Sequence, residues 1–236
     1  MKKQGVAMLP ERRAIGEQTS VIDEARHWPV RLQKNKIIFH PGEYGDIVYR
    51  IKKGCVRLQV DGVGGERQIV AFLFPGELFG CLPGRRSTAA EAVTIVDAEA
   101  YSIASLIELN ERKHGVAQPL IDAESELEAS LAQLIANIVH FPASERLLWF
   151  CRWLPCKIKE RDVSGFTEFP MSYRDIGDYL GLNAETVSRG LKELESRGLI
   201  TRRGRKAFIL RGEESEDCDA TGCVTTTKRS SLVPQS

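Results

Sequence analysis

Apolar and polar positions divide the chain into a half rich in short strands and a half rich in helices. From about Arg31 to Ala104, the apolar runs KIIFH, DIVYRI, CVRLQV, RQIVAFLF and AVTIV are separated by the turn sequences HPGEYG, KKG, DGVGGE and PGELFG. Short strands interrupted this often by glycine and proline are typical of a small antiparallel barrel or jelly roll. The sequence therefore predicts an antiparallel β domain over this region.

A heptad pattern replaces the strand pattern after His114. From Leu120 to His140 the chain contains neither glycine nor proline. Leucine or isoleucine recurs on one face of the predicted helix at Leu120, Leu127, Leu131, Leu134 and Ile138. Such a stripe, about three heptads long, predicts a helix that pairs with a second copy of itself. A helix packed only on its own barrel is the alternative, and Ile121, Ile135 and Val139 widen the stripe enough for both contacts.

Two further elements follow the long helix. Pro142 lies where a new helix can begin, and that helix, SERLLWFCRWL, is expected to end at Pro155. The charged, turn-rich stretch KIKERDVSGFTEF then predicts a short hairpin.

The segment from Met171 to Arg211 combines two capped helices with a basic hairpin. Ser172 and Asp175 form an S-x-x-D capping signal for the first helix, Gly181 allows a tight turn, and Asn183 caps the second helix. The remainder, LITRRGRKAFILR, predicts a β-hairpin with a basic tip. Together these signals predict a winged helix-turn-helix that binds DNA.

Three polar side chains share one face near the start of the second helix, because Glu185, Ser188 and Arg189 follow i, i+3, i+4 spacing. In the major groove, arginine can donate two hydrogen bonds to guanine, glutamate can accept from cytosine N4, and serine can contact a base or a phosphate. A plain surface salt bridge between Glu185 and Arg189 is the alternative, but the adjoining basic hairpin favours DNA recognition. We expect backbone contacts from Ser172, Tyr173, Asn183, Thr186, Lys192, Arg202, Arg203 and Arg205.

The formal net charge of +1 hides an uneven distribution. Residues 141–212 carry 14 Lys and Arg against 9 Asp and Glu, a local balance of +5, so the remainder carries −4. A basic module joined to a more acidic domain is expected of a DNA-binding protein. Because no apolar run has the length of a signal peptide or membrane span, we expect a cytoplasmic protein without a membrane partner. Residues 213–236 predict a disordered tail.

The sequence MSYRDIGDYLGLNAETVSRGLKELESRGLI resembles the helix-turn-helix of the cAMP receptor protein/fumarate-nitrate regulator (CRP/FNR) superfamily. Its E-x-x-S-R arrangement resembles the FNR and FixK branch. Upstream, HPGEYGDIVYRIKKGCVRLQV followed by FPGELFG resembles the β-roll of that superfamily. The resemblance spans about residues 30–212, and so covers two domains and the helix between them.

The resemblance implies an α+β fold and a dimeric transcription regulator that acts as an activator with RNA polymerase. We expect five segments in chain order: an N-terminal arm (1–28), a double-stranded β-helix or cyclic-nucleotide-binding-like β-roll (29–114), a dimerisation helix (115–140), a winged helix-turn-helix domain (141–212) and the tail. The implied target is a palindrome of the type TTGAT, four base pairs, ATCAA. The base-contacting positions of the family correspond to Glu185, Ser188 and Arg189.

The signal sensed by the β-roll is less defined. In the superfamily, cyclic-nucleotide binders use a glutamate and an Arg-Ser pair; here Arg86 and Ser87 match the pair, but Cys81 replaces the glutamate, which argues against cAMP. No cysteine precedes Cys55, which argues against an FNR-type iron–sulfur cluster. Some FixK-like members work without a bound ligand, sometimes with thiol oxidation. Cys55 and Cys81 are therefore candidate redox thiols, with buried packing as the alternative.

Two other functions stay open as alternatives. A ligand-controlled regulator would sense haem, nitric oxide, redox state or a nucleotide in the β-roll, with His114, His140 and the cysteines as candidate haem ligands. A cupin-type metalloenzyme would share the β architecture, but the four histidines form no H-x-H pair. We therefore expect no enzymatic activity, no metal site and no required cofactor.

Overall fold

Two four-stranded antiparallel sheets form the N-terminal half of the chain. The computed structural model describes residues 21–62, 64–158 and 164–211; the predicted tail and most of the predicted N-terminal arm lie outside them. The strands of this half are β1 (His27–Leu32), β2 (Ile37–Phe39), β3 (Tyr44–Gly45), β4 (Ile47–Lys53), β5 (Val56–Asp61), β6 (Arg67–Leu73), β7 (Leu78–Phe79), β8 (Gly84–Arg85), β9 (Ala89–Ala92) and β10 (Val96–Ser102). The sheet orders are β1-β10-β4-β7 and β2-β9-β5-β6, with β3 paired to β8.

Apolar side chains from both sheets meet in the core of this β-roll. Ile51 of β4 and Val96 of β10 come from one sheet, while Val56 and Leu58 of β5 come from the other. All four are buried. The alternation of inward apolar and outward polar residues thus produces the antiparallel domain that the sequence predicts, and this prediction is confirmed.

One predicted strand is wrong. The sequence predicts a single strand for AVTIV, whereas β9 ends at Ala92 and β10 begins at Val96. Thr94 interrupts the run, because its hydroxyl accepts from the backbone N–H of Cys55 at 3.0 Å and donates to the carbonyl of Ile95 at 3.1 Å. A threonine that bonds nearby backbone groups competes with the strand ladder.

Three helices follow the β-roll: α1 (Ile103–Arg112), α2 (Gln118–His140) and α3 (Ala143–Lys157). The prediction that the third helix ends at Pro155 is wrong, because α3 continues to Lys157. Proline lacks an N–H, but the N–H of Ile158 still donates to the carbonyl of Leu154 at 3.0 Å and closes the last turn. Within the described residues, no helix combines the length and the apolar character needed to cross a membrane.

On the long helix α2, the most exposed apolar residues are not those of the predicted seam. Most of the predicted seam residues pack against the chain's own cores, namely Leu120, Leu127, Leu134 and Ile138. Leu131 is half-buried. By contrast, Ile121, Ile135 and Val139 are 56%, 60% and 67% exposed. Of the five predicted seam residues, Leu134 is buried and the other four are half-buried, so the seam stays a prediction, and a more exposed stripe lies one residue further along the helix.

The C-terminal part of the chain is the winged helix-turn-helix. It consists of β11 (Thr167–Glu168), α4 (Tyr173–Leu180), α5 (Ala184–Ser196), β12 (Ile200–Arg203) and β13 (Ala207–Leu210). The hairpin predicted for KIKERDVSGFTEF is wrong in its second half, because Thr167 pairs with Phe208 of the wing. The strand thus extends the wing to a three-stranded sheet, β11-β13-β12. Residues 159–163 of that stretch lie outside the described residues.

Candidate nucleic-acid interface

A capping box fixes the start of α4. The backbone N–H of Asp175 donates to Ser172 Oγ at 3.1 Å, while the backbone N–H and the hydroxyl of Ser172 donate to Asp175 Oδ2 at 3.0 and 2.7 Å. These bonds satisfy N–H groups that have no partner within the helix. The helix therefore begins where the S-x-x-D signal predicts.

Glycines set the angle between α4 and α5. Gly181 ends α4 in the left-handed region, at φ 66°, where a side chain would be strained. A Cβ on Gly177 would lie 2.4 Å from the carbonyl oxygen of Leu182, so only glycine permits this approach of the turn. Asn183 then begins α5, since its side chain accepts from the N–H of Thr186 at 2.7 Å.

The N-terminal half of α5 presents its polar face to solvent. The side chains of Glu185 and Arg189 are 78% and 71% exposed, and their charged groups are 4.0 Å apart. Ser188 is half-exposed between them. Val187 and Leu191, on the opposite face, are buried in the domain core. The structure thus brings the three predicted base-contacting residues together on an open surface, and the long, exposed ion pair between two of them is weak enough to exchange for other partners.

The wing, the hairpin of β12 and β13, carries exposed basic side chains. The guanidinium of Arg205 lies 4.9 Å from the ring centre of Tyr173, and that of Arg203 lies 4.7 Å from the ring centre of Phe166. Such stacking holds a guanidinium in place while its charge stays exposed. The two arginines therefore present a defined positive edge on the wing, with Arg205 next to the start of α4.

Two predicted backbone contacts have other roles. Tyr173 is 6% exposed and contributes to the core. Arg202 donates to Glu195 Oε2 through Nε and Nη2, at 2.9 and 2.6 Å, and its backbone N–H donates to Glu195 Oε1. Burial hinders Tyr173 and pairing occupies Arg202, so both are withdrawn as phosphate ligands. The sequence reasoning missed Glu195, which ties the wing to α5 from seven residues away.

Arg174 is a second residue that the sequence reasoning missed. It lies exposed in the first turn of α4, next to the capping box. A cation beside the free N–H groups of a helix start adds to the positive potential there. The S-x-x-D signal in the sequence places Arg174 in the first turn of α4 and could have identified it.

The β-roll positions that would hold a cyclic nucleotide are occupied by internal contacts. Arg86 donates to the carbonyls of Leu82 and Ile47 at 3.1 and 2.9 Å, and it lies 4.8 Å from the ring centre of Phe39. Cys81, in place of the ribose-binding glutamate, is 5% exposed. Arg86 is therefore engaged within the β-roll, and Cys81 offers no carboxylate to a ribose.

The candidate redox thiols are buried. Cys55 is 1% exposed, and burial, with the charges of Glu77 and Asp175, raises the pKa of its thiol well above the ordinary value. Burial likewise raises the pKa of Cys81 to about 12. Oxidation requires an accessible thiolate, so the geometry favours packing for both residues. Within the part of the chain that the structure describes, no three His, Cys, Asp or Glu side chains form a group that could hold a metal ion.

Comparisons with known proteins agree with this architecture in both halves. The family model of the cyclic nucleotide-binding domain matches residues 29–106, and that of the Crp-like helix-turn-helix domain matches residues 145–214. The structure of FixK2 from Bradyrhizobium japonicum is similar with a TM-score of 0.73 and 30% sequence identity, covering 79% of this chain and 93% of that one.

Two curated relatives are named FixK. The nitrogen fixation regulation protein FixK of Rhizobium meliloti (strain 1021) is 31% identical over 180 residues, which cover 75% of this chain and 80% of that protein. FixK of Azorhizobium caulinodans is 32% identical over 196 residues, covering 78% of this chain and 75% of that protein. These relatives are named as regulators rather than enzymes, so the cupin alternative is set aside. The chain belongs to the CRP/FNR family, in its FixK-like branch, and is a DNA-binding transcription regulator.

Proposed function

We propose that this protein binds a TTGAT-N4-ATCAA palindrome as a homodimer and needs no bound effector to do so. One observation carries the proposal: Glu185, Ser188 and Arg189 form an exposed polar face at the end of α5 that a recognition helix inserts into the major groove. Arg189 donates to guanine O6 and N7, Glu185 accepts from cytosine N4, and Ser188 contacts a base or a phosphate.

Contacts with the DNA backbone hold the helix in register. The proposed contributors are exposed or half-exposed residues on α4, α5 and the wing: Ser172, Arg174, Asn183, Thr186, Lys192, Arg203 and Arg205. Such contacts add affinity and orientation without reading sequence. As an activator, the bound dimer would also recruit RNA polymerase.

The open stripe on α2 supports the homodimer. Ile121, Ile135 and Val139 expose branched apolar side chains on one side of the longest helix, and Phe141, just beyond the end of that helix, is 41% exposed. Isolated exposed apolar residues are common, but a row at helical spacing marks a surface for a partner helix. Two-fold pairing along α2 would place two recognition helices about 34 Å apart, one turn of DNA.

The β-roll supports effector-independent binding. Arg86 is already bonded to backbone carbonyls, and Cys55 and Cys81 are buried with raised thiol pKa values. A required effector must bind one conformation more tightly than another, and these residues provide no free group for that purpose. A ligand-controlled regulator that senses haem, nitric oxide or a nucleotide remains the alternative under test.

DNA binding by purified, ligand-free protein tests the proposal. We expect tight binding to the palindrome, with and without thiol reductant, and much weaker binding to a scrambled duplex of the same length. Arg189→Ala should weaken palindrome binding by about 1–3 kcal/mol and relax the preference for guanine at one position. Binding that requires haem or a nucleotide would contradict the effector-independent model.

The same helix provides a matched control. Arg197 pairs with Glu193 at 3.7 Å, also with i, i+4 spacing, but at the opposite end of α5. Arg197→Ala removes the same charge from the C-cap of the same helix, away from the proposed base-reading face. Equal losses for Arg189→Ala and Arg197→Ala would contradict the assignment of the recognition face.

Sedimentation of apolar-to-lysine variants tests the dimer. A charge at Ile135 lies in the proposed interface, so Ile135→Lys should produce monomers at concentrations at which the unmodified protein is dimeric. Ile107→Lys on α1 is the control, because Ile107 is 55% exposed, close to the 60% of Ile135. If both variants sediment like the unmodified protein, the interface lies elsewhere.

A further inference from the structure

The helix-turn-helix and the β-roll share one continuous apolar core. The ring of Phe72 on β6 lies 5.2 Å from that of Tyr179 on α4, and the ring of Phe74 lies 5.9 Å from that of Trp153 on α3. Ile69 of β6 belongs to the same cluster and is fully buried. Apolar contact of this kind supplies attraction between the domains, but it sets their relative angle only weakly because it is not directional.

Charged groups at the edge of this core supply directional contacts. Arg57 of β5 bonds Glu91 of β9 at 2.7 Å and Asp175 of α4 at 3.0 Å. Arg67 of β6 bonds Asp175 Oδ1 at 2.7 Å and, through Nε, Asp178 Oδ2 at 2.8 Å. Two arginines of the β-roll thus grip two carboxylates one helical turn apart on α4. We call these four residues, Arg57, Arg67, Asp175 and Asp178, the interdomain clamp.

A neighbouring backbone contact strengthens the clamp. Gln68 Nε2 donates to the carbonyl of Asp178 at 2.6 Å, which adds a bond from β6 to the α4 backbone itself. The two carboxylate oxygens of Asp175 have separate partners. Oδ2 accepts from Ser172 and so caps α4, whereas Oδ1 accepts from both arginines. A rotation of α4 on the β-roll would break several of these bonds together.

The clamp holds the back of the DNA-binding domain and leaves its front open. It engages α4, whereas Glu185 and Arg189 on α5 remain 78% and 71% exposed. Because α2 runs from the same β-roll, fixing α4 to the roll also fixes α5 relative to the proposed dimer helix. In a two-fold dimer, the separation and twist of the two recognition helices would follow from that angle.

We propose that Arg57 and Arg67 are positioning residues that set the half-site spacing the dimer accepts. One base pair more or less between half-sites shifts them by about 3.4 Å and rotates them by about 35°, so a rigid dimer selects one spacer. A domain released from the clamp reorients and tolerates other spacers. This inference rests on the proposed palindrome and dimer, and it adds a specificity determinant 100 or more residues away from the recognition helix in sequence.

Arg67→Gln in the full-length protein tests the inference. Arg67 is 21% exposed in its side chain and Arg57 only 8%, so the Arg67 variant leaves the more deeply buried pair intact and preserves the fold. Binding is measured to palindromes with spacers of three, four and five base pairs and to a single half-site. We expect about a 3–10-fold loss on the four-base-pair spacer, a flatter spacer profile and unchanged half-site binding. Arg67→Lys, which keeps the charge but loses the two-pronged bonding, should recover part of the spacer preference.

A control and a DNA-free measurement complete the test. Arg31→Gln removes an ion pair with Asp97 inside the β-roll and should leave the spacer profile unchanged. Amide hydrogen exchange in Tyr173–Leu180 should be faster in Arg67→Gln than in Arg31→Gln. An Arg67→Gln protein with the original spacer profile, or with uniform loss on all spacers, overturns the inference. If the unmodified protein binds all spacers equally, the proposed palindrome is wrong rather than the role of the clamp. In that case, equal amide exchange in α4 of Arg67→Gln and Arg31→Gln would still contradict the clamp.

Discussion

Two carboxylate–arginine pairs, one within the helix-turn-helix and one between it and the β-roll, differ in how far water reaches them. Glu185 and Arg189 on α5 are 4.0 Å apart with 78% and 71% of their side chains exposed. Asp175 on α4 and Arg57 of the β-roll are 3.0 Å apart with 9% and 8% exposed. An exposed pair contributes a few tenths of a kcal/mol and separates readily. A buried charge that loses its partner costs several kcal/mol.

This difference separates two uses of the same chemistry. The groups of the exposed pair can exchange each other for bases and phosphates at little cost, so they suit recognition. The groups of the buried pair are held by each other and by further buried partners, so they suit positioning. The helix-turn-helix therefore carries a weak pair on the side that faces solvent and a strong pair on the side that faces the β-roll.

Removing the buried arginine should have the largest effect. Arg57→Ala leaves Glu91 without its ion pair and leaves Asp175 with Arg67 as its remaining cation. We expect the free energy of unfolding to fall by about 3–5 kcal/mol, as for other broken buried pairs. Urea denaturation followed by tryptophan fluorescence measures the change, since Trp153 lies at the domain boundary. Arg189→Ala is the control and should lower the free energy of unfolding by less than about 0.5 kcal/mol. Equal losses of stability in Arg57→Ala and Arg189→Ala would contradict the difference between the buried and the exposed pair.

Removing the exposed carboxylate should affect DNA binding and not stability. Glu185→Ala is expected to cost about 1–3 kcal/mol of discrimination at the C·G pair that Glu185 reads. Titration of the palindrome and of its single-base variants at that pair measures the difference. Glu193→Ala, at the far end of α5, is the matched control. If Glu185→Ala still discriminates at that C·G pair, Glu185 does not read a base, and its pair with Arg189 is a plain surface salt bridge.

The recognition side could be predicted from the sequence because its signals are local. Ser172 and Asp175 are three residues apart, and the Glu185–Arg189 face follows from helical periodicity. The predicted long helix also has the observed C-terminal end at His140. Each of these features is decided by neighbours within one or two helical turns.

The positioning side could not be predicted because its partners are distant in sequence. Arg57 and Asp175 are 118 residues apart, and Arg67 and Asp175 are 108 apart. The same limitation affects the predicted seam, since periodicity identifies an apolar stripe but not which edge of it the β-roll covers. Leu134, a member of the predicted seam, packs into the core shared with α3 and α4. The hydroxyl of Thr94, bonded to Cys55, broke a predicted strand for a similar reason.

Acid should weaken the buried pair in a predictable direction. Burial alone would raise the pKa of Asp175, but the hydrogen bonds from Ser172 and the charges of Arg57 and Arg67 outweigh it and lower the pKa below the ordinary 3.8. The stabilisation is therefore complete above pH 3.8 and is lost as the pH falls towards the lower value in the folded protein. Between pH 5 and 2.5, the unmodified protein should therefore lose more unfolding free energy than Asp175→Asn, which has no carboxylate to protonate at this position. Urea denaturation at a series of pH values measures this difference. If stability falls with pH in parallel for the unmodified protein and Asp175→Asn, the partners of Asp175 do not lower its pKa.

The smallest effect is expected at the wing, where an exposed cation meets only the DNA backbone. Arg205 stacks on Tyr173 and keeps its charge at the surface, so Arg205→Ala should leave folding intact. Because a phosphate contact carries no base information, affinity should fall by a similar factor, less than about 1 kcal/mol, on the palindrome and on random DNA. One lost contact also releases one counterion fewer, so the slope of log affinity against log salt should decrease by about one. Binding measured over a range of salt concentrations tests this. A loss confined to the palindrome would instead place Arg205 among the base-reading residues and extend the recognition surface from α5 onto the wing.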